Sequence, residues 1–372
     1  AYDRIAKVLG EARELRQHFG QTPVFDVGLY FSSRSRDWIG QEEPANYFQS
    51  FQGAHAACAM EHLQFGVILD ENVTLKTLRE FPAVCLPNVA IVSNREVQLL
   101  TDYVRGGGKL IVTGQPAQRD RLGHVQKRSL LEELIGAKVV RQADETDNWL
   151  RLPSAKAAAN DEQFAHLITS IPADWPFLVE GPATVYGPTS ADSFGQLIAP
   201  HRTARQRQGK MGTQWPMRPD QPVGPAVLLN SFGKGQVLTF AASPDFATAS
   251  EHPIVEARQL LRNAISMMRP EPRLRIAAPA TVECVVTDDP NHRKLRVHFI
   301  AYNPTPQTTA PKNRPYAIPG LIEDVPIFRT SIQVSGHFSN VTAVNPDTKL
   351  STEGQTVNAQ IEDIHEVIVI DY

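Results

Sequence analysis

The stretch from Pro82 to Gly114 constrains this chain more than any other. Ala83–Leu86 is a short apolar run stopped by Pro87-Asn88, the pattern of a strand buried on both faces. Ser93 with Glu96 three residues later reads as a capping box that satisfies the free amides of a new helix. Val97, Leu100, Tyr103 and Val104 recur at helical spacing and give that helix one apolar face. Gly106-Gly107-Gly108 supplies the left-handed residue that ends it, and Lys109-Leu-Ile-Val-Thr113 is a second buried strand. The unit is therefore β–α–β, and such a crossover implies a parallel sheet covered by helices.

The text before and after extends the same alternation. Val24–Phe31 is a first strand, and Ser32–Asp37 reads as the loop at its carboxyl end. Tyr47 to His62 carries apolar residues at helical spacing, Phe65–Leu69 is a strand, and Thr74–Arg79 a short helix. The order β, α, β, α, β, α, β predicts a doubly wound α/β sheet of the flavodoxin-like or Rossmann-like type. Ser129 with Glu132 reads as another capping box, for a helix ended by Gly136. From about 140 to 222 the text is rich in Pro, Ala and polar residues, and reads as an insertion or an extension of the sheet. Pro225–Asn230 and Gln236–Phe240 flank Gly233-Lys-Gly235 as a hairpin. A helix opened by His252-Pro253 ends at Arg269-Pro-Glu-Pro272, the best domain boundary in the chain. Beyond Arg273 about six short strands predict a small antiparallel β-sandwich. The expected domains are thus a linker helix over 1–22, an α/β domain over 23–270 and a sandwich over 271–372.

A chain of 372 residues is too long for one ordinary core, which agrees with that division. A net charge of −3 with 21% charged residues gives no general drive towards nucleic acid or acidic membranes. No apolar run approaches the roughly 20 residues that span a bilayer. A soluble chain is expected, with its compartment left open, a bacterial periplasm included. Cys58, Cys85 and Cys284 have neither a disulfide framework nor a metal-ligand spacing. The first residue, Ala1, suggests a chain cut from something longer.

A sheet of this kind binds ligands beyond the carboxyl ends of its strands. The residues placed there are Ser32, Ser33, Arg34, Arg36, Asp70, Glu71, Asn88, Gln115 and Asp245, a polar rim such as every fold of this type carries. No Gly-rich turn follows the first strand, and no phosphate-cradling loop ends in Lys-Ser or Lys-Thr, so no cofactor is expected. A nucleophile elbow would stand at Val112-Thr-Gly-Gln-Pro116, which lacks the Gly-x-Ser/Cys-x-Gly pattern. His55 and His62 share a helix without an evident third ligand, so no metal is expected. Asp70 and Glu71 are adjacent and diverge, unlike the opposed acids of a glycosidase. The basic segment His201–Asp220, with Arg202, Arg205, Arg207, Lys210 and Trp215, is suited either to an anionic or sugar ligand or, as charge runs more often are, to solvent.

Laid out this way, the chain resembles the non-catalytic C-terminal half of bacterial glycoside hydrolases akin to the family 42 β-galactosidases. The residues that carry the resemblance are Val27-Gly-Leu-Tyr-Phe-Ser32, the Ala83–Pro87 strand, Val92-Ser-Asn94 with Leu99–Tyr103, and above all Val104-Arg-Gly-Gly-Gly-Lys-Leu-Ile-Val-Thr-Gly114. Gly233–Leu238, Leu260–Ala264, Val297–Asn303 and His365–Ile370 also fit, and about 140–222 does not. The resemblance implies a trimerisation domain with the class I glutamine amidotransferase-like fold but without its triad, followed by a β-sandwich. It implies a homo-oligomer, and a catalytic barrel outside this sequence that supplies the acid and the nucleophile. By the same analogy Arg34, Arg36, Trp38 and the 201–220 loop would face that barrel, and no catalytic residue is carried over to this chain.

Three functions follow as expectations. The first is an accessory and oligomerisation module of a carbohydrate-active enzyme, with no catalytic residue of its own. The second is a stand-alone carbohydrate- or small-ligand-binding protein using Ser33, Arg36, Asp70, Asn88 and Gln115, with Arg34, Trp38 and Trp215 as further candidates. The third is an amidotransferase-like hydrolase using Cys58 or Cys85.

Overall fold

A computed structural model describes residues 2–39, 45–143, 145–154, 162–203, 206, 216–301 and 327–372. The chain divides into two compact units. One holds Phe25–Cys58 and Phe65–Pro270, and the other holds Ala1–Val24, Ala59–Gln64 and Glu271–Tyr372.

A seven-stranded sheet forms the centre of the first unit. Its order is Asp192–Phe194, Val227–Phe232, Gly235–Phe240, Lys109–Val112, Ala83–Leu86, Val27–Phe31 and Phe65–Leu69. The last five are parallel neighbours, with Gln236 opposite Lys109, Val84 opposite Leu110, Gly28 opposite Val84 and Val27 opposite Phe65. Numbered along the chain, these five strands lie in the order 2-1-3-4-5. The Ala83–Leu86 run is buried at every position, as a strand covered on both faces requires.

The helix between the inner two strands spans Asn94–Arg105 and has the expected capping box. The Ser93 hydroxyl accepts from the Glu96 amide, and Glu96 reaches back to the Ser93 amide. Its glycine stop is more specific than the sequence shows. Gly106 keeps a right-handed conformation and Gly107 takes φ +113°. At Gly108 an added Cβ would stand 2.5 Å from the Tyr103 ring, so the third glycine is required by close approach.

The local structure departs from the expectations at Ser33–Ile39, at Glu132–Ile135 and at the start of the Val255–Met268 helix. Ser33–Ile39 is a helix, which places Arg34 and Arg36 on a helical turn and not in a loop. Glu132–Ile135 has no capping box, because the Ser129 hydroxyl instead donates to the Pro116 carbonyl at 2.7 Å and accepts from the Leu131 amide. Pro244–Thr248 is a short helix with its proline in the first turn, where no amide is needed. The following helix, Val255–Met268, begins beyond His252-Pro253 and buries Ala257, Leu260, Leu261, Ala264, Ile265 and Met268.

Where it is described, the 140–222 region is mostly β structure, with a 3-10 helix over Glu162–Ile168. Pro219–Gly224, Gln196–Pro200, Asp147–Arg151 and Phe177–Glu180 make a four-stranded antiparallel sheet. Ala137–Gln142 pairs with Thr184–Pro188, and Asp192–Phe194 adds an edge to the main sheet. Strands of three to six residues, some polar and others continuous apolar runs such as Phe177–Val179, leave little period-2 signal, which explains why the sequence reads there as a loose insertion.

In the second unit two antiparallel sheets face one another. Thr22–Pro23, Val282–Asp289, Lys294–Ala301, His365–Asp371 and Asn340–Ala343 form one, and Leu274–Ala277, Phe328–Val334, Thr356–Ile361 and Lys349–Glu353 the other. Val297, Phe299, Ile332, Val357, Ile361, Ile368 and Ile370 are fully buried in their shared core. No helix among the described residues is long and apolar enough to cross a membrane.

Candidate functional site

The rim read from the sequence separates into two groups at the carboxyl ends of the parallel strands. The first group is bonded largely within itself, although the buried Asp70 Oδ2 has no hydrogen-bond partner among the described residues. Ser32 and Ser35 are buried and staple the Val27–Phe31 strand to Ile91, the Ser35 hydroxyl accepting from the Ile91 amide at 3.0 Å. The Ser33 hydroxyl donates to Asp70 Oδ1 at 2.5 Å, with Glu71 Oε1 at 3.2 Å. Arg34 Nη1 lies 2.6 Å from Glu96 Oε2. Glu96 is buried, and it also accepts from the Tyr30 hydroxyl and from the Ser93 amide and hydroxyl. Burial by itself raises the Glu96 pKa. The hydrogen bonds from Ser93 and Tyr30 and the Arg34 charge outweigh it, and hold the carboxyl below its ordinary range. Arg36 pairs with Asp37 at 2.7 Å and sits over the Phe31 ring. This cluster fastens a helix to a strand and a cap.

The second group opens on a cavity. Asn88 and Gln115 line a space of about 260 Å³ together with Ile39, Arg119, Glu145, Pro182 and Phe246, among others. Asn88 takes φ +44°, a left-handed conformation that Asn tolerates better than most residues. Its amide donates to Thr113 Oγ1 at 3.0 Å, and the Thr113 hydroxyl donates to Asp245 Oδ2 at 2.8 Å. Its side-chain Oδ1 accepts from the Gln115 amide at 3.0 Å, which an N–H donor requires and which settles the orientation of the carboxamide. A Cβ at Gly114 would overlap that side chain, so the glycine is what lets Asn88 reach across. The surrounding loops are tied as well. Thr184 Oγ1 donates to the Gly114 carbonyl at 2.9 Å, and Ser243 Oγ to the Pro182 carbonyl at 2.6 Å.

Asp245 stands beneath this arrangement. It is fully buried, its Oδ1 has no partner among the described residues, and burial pushes its carboxyl up to about 7. The sequence places it on the rim, whereas the structure makes it a foundation for Thr113 and Asn88. Trp38 is partly exposed and its ring lies against Gly123. Gly123 also accepts from Arg119 Nη1 at 2.8 Å, so Trp38 flanks the cavity-lining arginine. Trp215 lies outside the described residues, as do Arg205, Arg207 and Lys210. Arg202 is paired with the fully buried Asp147 at 2.5 Å, so this part of the basic segment is structural. Arg119, Glu145 and Phe246 were not legible as site residues. They come from an isolated β-bridge, the approach to a strand and a short helix that no motif connects.

Cys58 and Cys85 are fully buried and Cys284 nearly so, and desolvation raises all three thiols, away from the thiolate a nucleophile needs. His55 packs edge-on against Phe65, and His62 contacts the Pro279 carbonyl at 3.2 Å. No cluster of three or more metal-ligating side chains occurs among the described residues.

No family model matches the sequence, and no curated protein matches it. Solved structures do. Over 100% of this chain and 52% of the other, it superposes on α-L-fucosidase isoenzyme 2 from Paenibacillus thiaminolyticus, with a TM-score of 0.73 and 13% identity. The β-galactosidase from Bacillus circulans sp. alkalophilus matches over 100% and 45%, with a TM-score of 0.64 and 13% identity. Gan42B, a GH42 β-galactosidase from G. stearothermophilus, matches over 99% and 43%, with a TM-score of 0.61 and 14% identity. The chain therefore has the fold of a part of these glycoside hydrolase chains and spans about half their length. The resemblance read from the residues around Val104–Gly114 recurs in three dimensions.

Proposed function

We propose that this chain is a non-catalytic accessory and assembly region of a β-galactosidase-like glycoside hydrolase, with the catalytic barrel supplied by residues outside it. The observation that carries this reading is the pair of coverages. Essentially the whole chain is used in the match, against 43–52% of each glycoside hydrolase. The parallel order 2-1-3-4-5 is the flavodoxin-like order, which supports an amidotransferase-like sheet as the architecture of this region. Its chemistry agrees. Hydrolysis of a glycoside needs two carboxyl groups opposed across an open site. Here Asp70 and Asp245 are buried, the one bonded to Ser33 and the other to Thr113. Among the described residues every sheet is open, with no eightfold β/α barrel to carry such a pair.

The test is an initial-rate assay of the purified chain on aryl β-galactosides and aryl α-fucosides. The expected result is no turnover above the uncatalysed rate. Turnover abolished by changing a carboxylate of this chain would overturn the reading.

A further inference from the structure

We infer that the cavity beneath Asn88 and Gln115 is a binding site for one neutral monosaccharide unit. The inference stands on the cavity itself and does not rest on the accessory reading above. A volume of about 260 Å³ lies just below the roughly 300 Å³ at which pockets for drug-sized ligands begin, which suits a single sugar ring and excludes a dinucleotide.

The lining is a set of fixed donors and acceptors around an apolar floor. Asn88 is buried, and its backbone amide and Oδ1 are both committed, to Thr113 and to Gln115. Its Nδ2 makes no hydrogen bond among the described residues, so the Asn88 carboxamide holds a donor ready for an acceptor in the cavity it lines. This donor is open to the solvent of the cavity, and a ligand hydroxyl oxygen could take the place of water on it. The Gln115 side chain likewise has no partner among the described residues and adds a second carboxamide. Arg119 spends Nη1 on the Gly123 carbonyl and retains its other nitrogens. Glu145 is the carboxylate acceptor, and its backbone carbonyl is held by Asn148 Nδ2 at 3.1 Å. Neither Arg119 nor Glu145 has an ion-pair partner among the described residues. Phe246 and Pro182 supply apolar surface for the carbon face of a ring.

The choice of ligand class follows from this balance. A sugar hydroxyl both donates and accepts, and it needs carboxamides, a guanidinium and a carboxylate together. An anion would gain Arg119 but meet Glu145, and a cation the reverse, so the two charges favour a neutral polyol. The site is also stiff before any ligand arrives. Asp245, Thr113 and Asn88 form one hydrogen-bonded line from the fully buried base to the cavity wall, which lowers the ordering cost of binding.

The experiment is saturation-transfer NMR on the full chain, titrated separately with D-galactose, L-fucose, D-glucose and D-galacturonate. Asn88→Asp keeps the Oδ1 acceptor and tolerates the left-handed backbone but removes the Nδ2 donor. Glu145→Gln, at a partly exposed position, tests the acceptor without touching the buried line. At least one neutral sugar should bind saturably, no more weakly than galacturonate, and weaken about tenfold in either variant, the worth of one hydrogen bond. Ser351→Ala, in a cavity of the other unit, should leave binding unchanged. The inference fails if none of the three neutral sugars binds, or if binding is indifferent to both Asn88→Asp and Glu145→Gln. It also fails if galacturonate alone is bound. None of these outcomes alters the turnover assay, so the two readings fail separately.

Discussion

Two buried carboxyl groups show how far single residues govern this molecule. Glu96 caps the Asn94–Arg105 helix and is also the acceptor for Tyr30 and Arg34, so one side chain links helix, strand and rim. A Glu96→Gln substitution replaces one accepting oxygen with a donor facing donors. It should cost on the order of 2–3 kcal/mol in chemical denaturation, more than a solvent-facing cap residue would. Asp245 behaves in the opposite sense. Its folded pKa of about 7 is raised above the ordinary 3.8. A raised folded pKa makes a contribution to stability that is full below pH 3.8 and lost as pH rises through about 7. Stability should therefore fall by on the order of 4 kcal/mol across that window from this group alone. Asp245→Asn should remove this fall, and a stability difference between the native chain and Asp245→Asn that is the same at pH 5 and pH 8 would contradict the assignment.

At the scale of elements, legibility followed burial and periodicity. The Ala83–Leu86 and Lys109–Val112 strands and the helix between them were readable because two buried strands, a capping box and a glycine stop agree with one another. In the 140–222 region Lys138–Gln142 and Trp149–Leu152 read as strands and lie on strands, whereas Pro219–Gly224 lacks an apolar face to mark it. The site was half legible. Position beyond a strand end identified Asn88 and Gln115, but whether a polar side chain faces a cavity or another side chain is set by tertiary contacts, which is why Ser33 and Asp70 read the same as Asn88. The glycine stop makes a sharp prediction. Gly108→Ala drives a methyl group into the Tyr103 ring and should lower stability by roughly 1–3 kcal/mol, whereas Gly336→Ala, with open space but φ +114°, should lose only its backbone strain. In the sandwich unit, His298 Nδ1 lies 3.2 Å from His365 Nε2, and its Nε2 lies 3.0 Å from the His18 carbonyl. Burial first, then the neighbouring His365, His18 and Arg296, lowers the His298 pKa to about 4, and His365 is lowered too despite Glu366 and Asp363. A lowered folded pKa means stability that is present above pH 6.5 and lost as pH falls towards 4, on the order of 2 kcal/mol once solvent screening is allowed for. His298→Gln should remove most of that acid sensitivity in a melt followed between pH 7 and pH 4.

For the whole molecule, the match to glycoside hydrolases is one of architecture. Identities of 13–14% leave no site in common to argue from, and the functional reading rests on how large a share of those chains is matched. The described residues form an open, mostly parallel sheet, a four-stranded antiparallel sheet and a sandwich, with Asp245 and the three thiols buried. Assembly is also where the account is most exposed. Sedimentation velocity of the purified chain over a wide concentration range is the direct measurement. The account predicts one discrete homo-oligomer that dissociates only on dilution, and a single monomeric species at every concentration would contradict it.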